Sequence, residues 1–378
     1  MTLRVLIVGG GIAGLTAGTA LAMAGADVEI AEIQSEVKVY GVGIIQPNNA
    51  LRALDRIGVA RACLEEGSAF RGWRLCDANG NLLHQSAPST LGAPQFPANN
   101  GISRPALARI LIGAARSAGA RIRLGVTLDA IAQNDARGVA VRLTDGTLEH
   151  YDLIIAADGI ASSMRSRLFG HTYTQAFTGE GVWRYNFAKP KDLDWGYVFY
   201  GARSKAGLVP MDSERMYLFL VTPEPGNPRM PRARQAELLR ARLEEYGGPV
   251  GELRAQVTDP DGVVYRPMEP VLVPPPWHSG RIVLIGDAVH GTTPHLAQGA
   301  SIAIEDAVVL AEMIGAEGVS GDVLARFAAR RFPRCRRVVE ASAKLGEWEM
   351  AEWRGAPLPD AAFGPLMDEI WIEMAKPL

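Results

Sequence analysis

The segment Arg4-Val5-Leu6-Ile7-Val8-Gly9-Gly10-Gly11-Ile12-Ala13-Gly14 constrains this chain more than any other stretch. A short apolar run reads as a buried strand, Gly-x-Gly-x-x-Gly as a turn, and the Ala/Leu-rich residues that follow as a helix. A second strand, Val28-Glu29-Ile30-Ala31-Glu32, then ends on an acid. That order is a βαβ unit shaped for a dinucleotide. Gly9 permits the tight turn, Gly11 lets the backbone approach a pyrophosphate, and Gly14 allows close helix–strand packing. Ile12 and Ala13 open the helix, whose free N–H groups and partial positive charge suit phosphates. Glu32 is placed to accept hydrogen bonds from a ribose. The chain is expected to bind an adenine dinucleotide.

Composition narrows the class. With 378 residues and 48% hydrophobic content the chain can bury a core for two packed domains. A formal net charge of −2, with both signs interspersed, predicts neither nucleic acid nor an anionic membrane as partner. Cys63, Cys76 and Cys335 are odd in number and far apart, which suits reduced thiols in a cytoplasmic protein rather than disulfides or a metal site. No apolar run approaches the roughly 18 residues of a membrane span. The N-terminus has the outline of a secretory signal, from Arg4 to Ala24-Gly25-Ala26, but three glycines break its apolar run and cleavage would delete the fingerprint.

Beyond the first unit, Pro47 to Ile57 reads as a helix, and Asn79-Gly80 within Trp73 to Gln85 as a hairpin turn. Pro88 to Gly101 reads as a loop, and Ser103 as the cap of a helix running to Ser117. Residues 120–151, with Asp145-Gly146 between two runs, read as an antiparallel meander, and Asp152 to Ala157 as a buried parallel strand. Residues 172–272 turn to aromatic-rich strands interrupted by a charged helix near Arg232 to Glu245. Pro274-Pro275-Pro276 marks a return to the first domain, with a strand over Arg281 to Ile285 and helices near 299–314 and 321–350. The fold class is therefore α/β, a Rossmann-like domain carrying an inserted β-rich domain and C-terminal helices.

Two further segments end strands in turns and start helices: Ile154 to Arg165, through Asp158-Gly159, and Ile282 to His290, through Gly286-Asp287. The second continues through Pro294-His295-Leu296-Ala297-Gln298-Gly299. Asp287, at a strand's carboxyl end, can accept from a ribityl or ribose hydroxyl. With the N-terminal fingerprint, in this order, these motifs resemble the single-component flavin-dependent aromatic hydroxylases, the para-hydroxybenzoate hydroxylase family. The Pro-His pair is similar to salicylate and 6-hydroxynicotinate hydroxylase-like members.

The resemblance implies non-covalent FAD, NADH or NADPH as a transient co-substrate, and O₂, with hydroxylation through a flavin C4a-hydroperoxide. The substrate would be a small aromatic or N-heteroaromatic compound of phenol, aromatic acid or hydroxypyridine type. It places Gly43, Ile44 and Arg104 beside the flavin, Asp158 and Arg165 near the cofactor, and Pro294, Ala297, Gln298 and Gly299 along the isoalloxazine. The helix starting near Gly299 would point its dipole at the flavin pyrimidine edge. Within that reading His295 is the candidate general base, as a neutral imidazole. Arg184 and Tyr185 are candidates for a substrate carboxylate and hydroxyl.

The implied layout has an FAD-binding domain over 1–71, 99–171 and 275–350, a substrate domain over 72–98 and 172–274, and a C-terminal segment over 351–378. The cysteine usage and the lack of a span-length apolar run lead us to expect a soluble cytoplasmic enzyme, as monomer or homodimer. Two departures stand out: Ile33 where relatives usually carry Arg or Lys, and Ala297 where glycine is frequent. Other readings are a flavin halogenase or isoprenoid reductase of the same fold, or a non-catalytic flavin- or ligand-binding protein. The halogenase segment Trp-x-Trp-x-Ile-Pro is missing from the sequence.

Overall fold

The computed structural model describes residues 2–36, 41–87, 92–356 and 363–378. Strand Arg4–Val8 lies inside a six-stranded sheet in the order His278–Ser279, Ile282–Leu284, Leu153–Ala156, Arg4–Val8, Asp27–Glu32 and Arg121–Leu124. All pairs are parallel except the first. Strands Arg4–Val8, Leu153–Ala156 and Ile282–Leu284 are almost wholly buried because helices cover both faces, which is why they read as unbroken apolar runs. The fingerprint helix Ile12–Met23 packs against Gly299–Glu317, and all three motifs emerge at the carboxyl ends of these strands.

Gly9 and Gly14 perform the steric roles expected of them. Gly9 has φ +110°, and a Cβ there would lie 2.4 Å from the Ala157 carbonyl oxygen. A Cβ on Gly14 would lie 1.9 Å from the Gly9 carbonyl oxygen. Either side chain would push helix and strand apart.

A seven-stranded sheet, in the order Val264–Pro267, Glu180–Ala188, Arg215–Pro223, Lys205–Pro210, Gly196–Tyr200, Trp73–Asp77 and Leu82–Ser86, stands over the motif-bearing loops. Side chains alternate between its faces along strands Glu180–Ala188 and Arg215–Pro223. Trp183, Phe187, Leu218 and Leu220 face one way, into a core with helix Gln235–Arg242. Val182, Arg184, Phe219 and Val221 face the other way, into a cavity.

Several local expectations change. Residues Arg121–Leu124 do not belong to the meander: they pair in parallel with Asp27–Glu32, and only Leu128–Asp135, Gly138–Leu143 and Leu148–Tyr151 form the antiparallel unit. The strand's own pattern fits either partner, so only tertiary pairing chooses. Of the expected loop Pro88 to Gly101, residues 88–91 lie outside the described residues, and Asn99–Ser103 is a strand paired with Gly43–Pro47. The C-terminal segment carries a helix, Phe363–Ala375, that the sequence reading did not assign. Its last carbonyls accept hydrogen bonds from Arg52 and Arg334, cations placed where the helix dipole favours them.

Candidate active site

A cavity of about 890 Å³ runs between the fingerprint, the Thr292–Ala300 segment and the seven-stranded sheet. Of the residues expected to hold the cofactor, Gly11, Ile12, Ala13, Gly43, Ile44, Arg104, Asp287, Pro294, Ala297 and Gly299 line it.

The chemistry of the lining fits an FAD. Helices Ile12–Met23 and Gly299–Glu317 both begin at the cavity without a side-chain cap, so their first N–H groups are left for a ligand. A Cβ on Gly11 would meet no protein atom within 4 Å, so the bare backbone there faces open space rather than a packing neighbour. Glu32 accepts from the Gly10 N–H at 2.7 Å, tying the second strand's end to the glycine turn. Asp287 opens its carboxylate to the cavity; burial pushes its pKa up, against the pull of His290 and Arg104. Gly43 serves a packing purpose as well, since a Cβ there would lie 2.2 Å from the Tyr217 ring.

Ala297 takes the left-handed conformation, φ 54° and ψ 25°, that its alanine disfavours. The loop adopts the unusual φ despite lacking glycine, and strain of this kind collects at functional sites.

Four expected cofactor residues make hydrogen bonds within the protein. Asp158 accepts from Ser162 Oγ at 2.6 Å and from the Met164 N–H, capping the short helix Ser163–Phe169. Arg165 is buried and donates to the carbonyls of Ile160, Tyr173 and Ala288. Gln298 exchanges hydrogen bonds with Asn49, away from the cavity. Glu32 joins them through Gly10, although its position at the strand end still suits a ribose.

Beneath the Thr292–Ala300 segment lies a buried charge network. Glu305 accepts from Asn49, Arg331 and Arg334; Asp306 accepts from Arg331, from the Gly286 N–H, and pairs with His290 at 2.5 Å. Burial raises the Asp306 pKa, but His290 and Arg331 outweigh it and bring it down to about 2. His290 is thus structural.

At the sheet side, Arg184, Arg104 and Tyr217 line the cavity together, and Arg104 and Tyr217 both act on the Arg184 charge. Burial, and then the neighbouring Arg104, pull the Arg184 pKa down to about 10. No carboxylate ion-pairs with either guanidinium among the described residues. Around them the wall is apolar and aromatic, with Trp73, Phe219 and Trp371 among its members. Tyr217 is pushed up to about 12 by burial, despite both arginines, and so stays a neutral phenol. Sequence reasoning missed Tyr217, although strand alternation two residues from Phe219 could have found it.

The catalytic candidates separate. Arg184 is in the cavity. Tyr185, one residue on, points to the opposite face, its ring 5.1 Å from Phe187 and its hydroxyl near Gln256 and Asp259. His295 borders the cavity, yet its imidazole is only 1% exposed and is turned inward to Glu180 and Glu349. The structure turns this imidazole away from the cavity, whereas the Pro-His pair predicts one open to a phenol.

Residues 2–342 match the family described as FAD binding domain. The chain is 31% identical over 362 residues to the aurachin C monooxygenase/isomerase of Stigmatella aurantiaca, covering 94% of this chain and 91% of that protein. It is 28% identical over 384 residues to an FAD-dependent urate hydroxylase of Klebsiella pneumoniae, covering 97% and 95%. The crystal structure of Klebsiella pneumoniae HpxO complexed with FAD and uric acid superposes with a TM-score of 0.87 at 25% identity, over 99% of this chain and 97% of that one. Family, relatives and cavity agree that the chain is an FAD-dependent monooxygenase of the single-component aromatic hydroxylase family.

Proposed function

We propose that this enzyme uses NADH or NADPH and O₂ to hydroxylate a small aromatic or N-heteroaromatic compound that is bound as an anion. The observation that carries this reading is the Arg104–Arg184 pair with Tyr217, set in an apolar wall with no carboxylate in ion-pair contact among the described residues, Asp287 acting on Arg104 only at longer range. A partly buried cation without a close counter-ion is costly, and a bound carboxylate, enolate or phenolate offsets that cost. Relatives whose names include urate and 3-amino-4-hydroxybenzoate act on compounds of this kind.

Bound FAD would supply the electron transfer and oxygen activation. This chain's residues orient the ring, exclude water and hold charge. Arg184 and Arg104 stabilise an ionised substrate over its neutral form, so they lower its pKa without a dedicated base. Tyr217 donates a hydrogen bond to the same oxygen. Glu32, Asp287 and the two uncapped helix ends would hold the cofactor's ribose, ribityl and phosphate groups.

The test is a screen of aromatic acids and hydroxypyridines for stimulated NAD(P)H oxidation, followed by turnover under labelled O₂. One labelled atom in the product is expected. Product without label would refute the hydroxylase reading, and oxidation stimulated only by neutral compounds would refute the anion.

A further inference from the structure

His295, Glu180, Glu349 and Lys205 form a buried quartet for which the reaction outlined above has no use. Glu180 comes from strand Glu180–Ala188, Lys205 from Lys205–Pro210, Glu349 from the long helix Gly321–Glu352 and His295 from the flavin-facing loop. His295 Nε2 stands 3.6 Å from Glu180 Oε1 and 3.5 Å from Glu349 Oε2. None of these three buried atoms makes a close hydrogen bond. Gly346, inside the helix, leaves room for them: a Cβ there would lie 2.5 Å from Glu180 Oε2 and 3.0 Å from His295 Cε1. A glycine weakens a helix interior, so it is tolerated here for the space it leaves.

Charge counting identifies what the cluster holds. Lys205 binds the other oxygen of Glu349. With a neutral imidazole, two carboxylates and one ammonium leave a net charge of −1. One proton on His295 brings the quartet to zero, whereas a divalent metal would carry it to +1 beside Lys205. Burial opposes the imidazolium, as does Lys205, but Glu349 and Glu180 outweigh them and raise the His295 pKa. Among the described residues Tyr200, on strand Gly196–Tyr200, and Glu352 are further titratable groups on the Glu349 side; burial, then Glu349 and Glu352, push the Tyr200 phenol up.

The other ring nitrogen reaches the cavity indirectly. His295 Nδ1 lies 2.8 Å from Thr293 Oγ1, and Thr293 lines the cavity. In an imidazolium both nitrogens donate, so Thr293 must accept and its own hydrogen is left for another partner. We propose that Glu180, Glu349 and Lys205 hold His295 as an imidazolium, whose Nδ1–H makes the Thr293 hydroxyl a fixed hydrogen-bond donor to the flavin ring. This rests on the flavin lying along Thr292–Gly299, and makes His295 a positioning residue rather than a base.

NMR of the FAD-loaded protein labelled with ¹⁵N-histidine tests the charge, with His295→Gln to assign the signal. Both ring nitrogens are expected to be protonated at pH 7.5, with titration more than one pH unit above free histidine. Glu349→Gln and Glu180→Gln should each weaken proton affinity about tenfold or more. A neutral ring at pH 7.5, a midpoint unmoved in both variants, or stoichiometric Zn²⁺ binding that displaces the proton would overturn the proposal. For Thr293, flavin-fluorescence titration should show FAD held about 3- to 10-fold more weakly by Thr293→Val and nearly normally by Thr293→Ser. Unchanged affinity in Thr293→Val would overturn the donor role. Neither readout depends on turnover, so failure of the hydroxylase reading would not be mistaken for failure here.

Discussion

Replacing Arg184 by methionine should move stability and binding in opposite directions. Methionine keeps most of the side chain's volume and removes the charge. In the ligand-free protein Arg184 is held as a cation against burial and against Arg104, which brings its pKa from 12.5 to about 10. That fall corresponds to about 3 kcal/mol of unfavourable charge burial, which solvent in the cavity would screen to about 1–2 kcal/mol. The variant should therefore be more stable by about that amount, a rise of about 1–3 °C in Tm for a chain of this length. Binding should suffer instead. Loss of charge-assisted hydrogen bonds to an anion costs about 1.5–3 kcal/mol, or about 10- to 150-fold in Kd or KM for an aromatic acid. The corresponding neutral amide should lose less than about threefold. Urea unfolding of the ligand-free holoenzyme and titration of an acid–amide pair give both numbers. A variant that is less stable yet binds the acid normally would make Arg184 a packing residue and remove the electrostatic argument.

Other expectations follow from the same geometry. Glu32→Ala should weaken FAD binding by about 10- to 100-fold in a fluorescence titration, since it removes a charged acceptor from the ribose position along with the Gly10 anchor; unchanged affinity would leave Glu32 a brace. Ala297→Gly should cost no stability, and should gain up to about 1 kcal/mol in urea unfolding, because glycine adopts the left-handed conformation without the Cβ clash; an ordinary loss would show that the loop relaxes in solution. In acid, Asp306 and Glu349, each brought down to about 2 by their cationic partners, contribute stability that is complete above about pH 4.5 and lost as pH falls towards 2. Glu349→Gln should accordingly lose less unfolding free energy than wild type between pH 5 and 3, and an identical acid slope would refute the pairing.

The fingerprint, both later motifs and the first βαβ unit were legible because their signals are local. Gly9 and Gly14 report backbone conformations that few other residues tolerate, and unbroken apolar strands report burial on both faces. Local signals also supplied the Ser103 cap, confirmed by its bond to the Ala106 N–H, and the turn at Gly80 with φ +90°. What the chain could not reveal locally is partnership. Asp158, Arg165 and Gln298 carry polar groups in family positions, but which atoms they meet depends on elements far away in sequence, and those atoms proved to be protein. One residue of strand phase separates Arg184 in the cavity from Tyr185 on the opposite face. His295 is titratable in any context; only the arrival of Glu180 and Glu349, 115 residues before it and 54 after, decides which charge it carries. Sequence thus determined the dinucleotide frame through short-range steric rules. The tertiary structure decided the electrostatics, because a charge's state depends on everything within a few ångströms rather than on its neighbours along the chain.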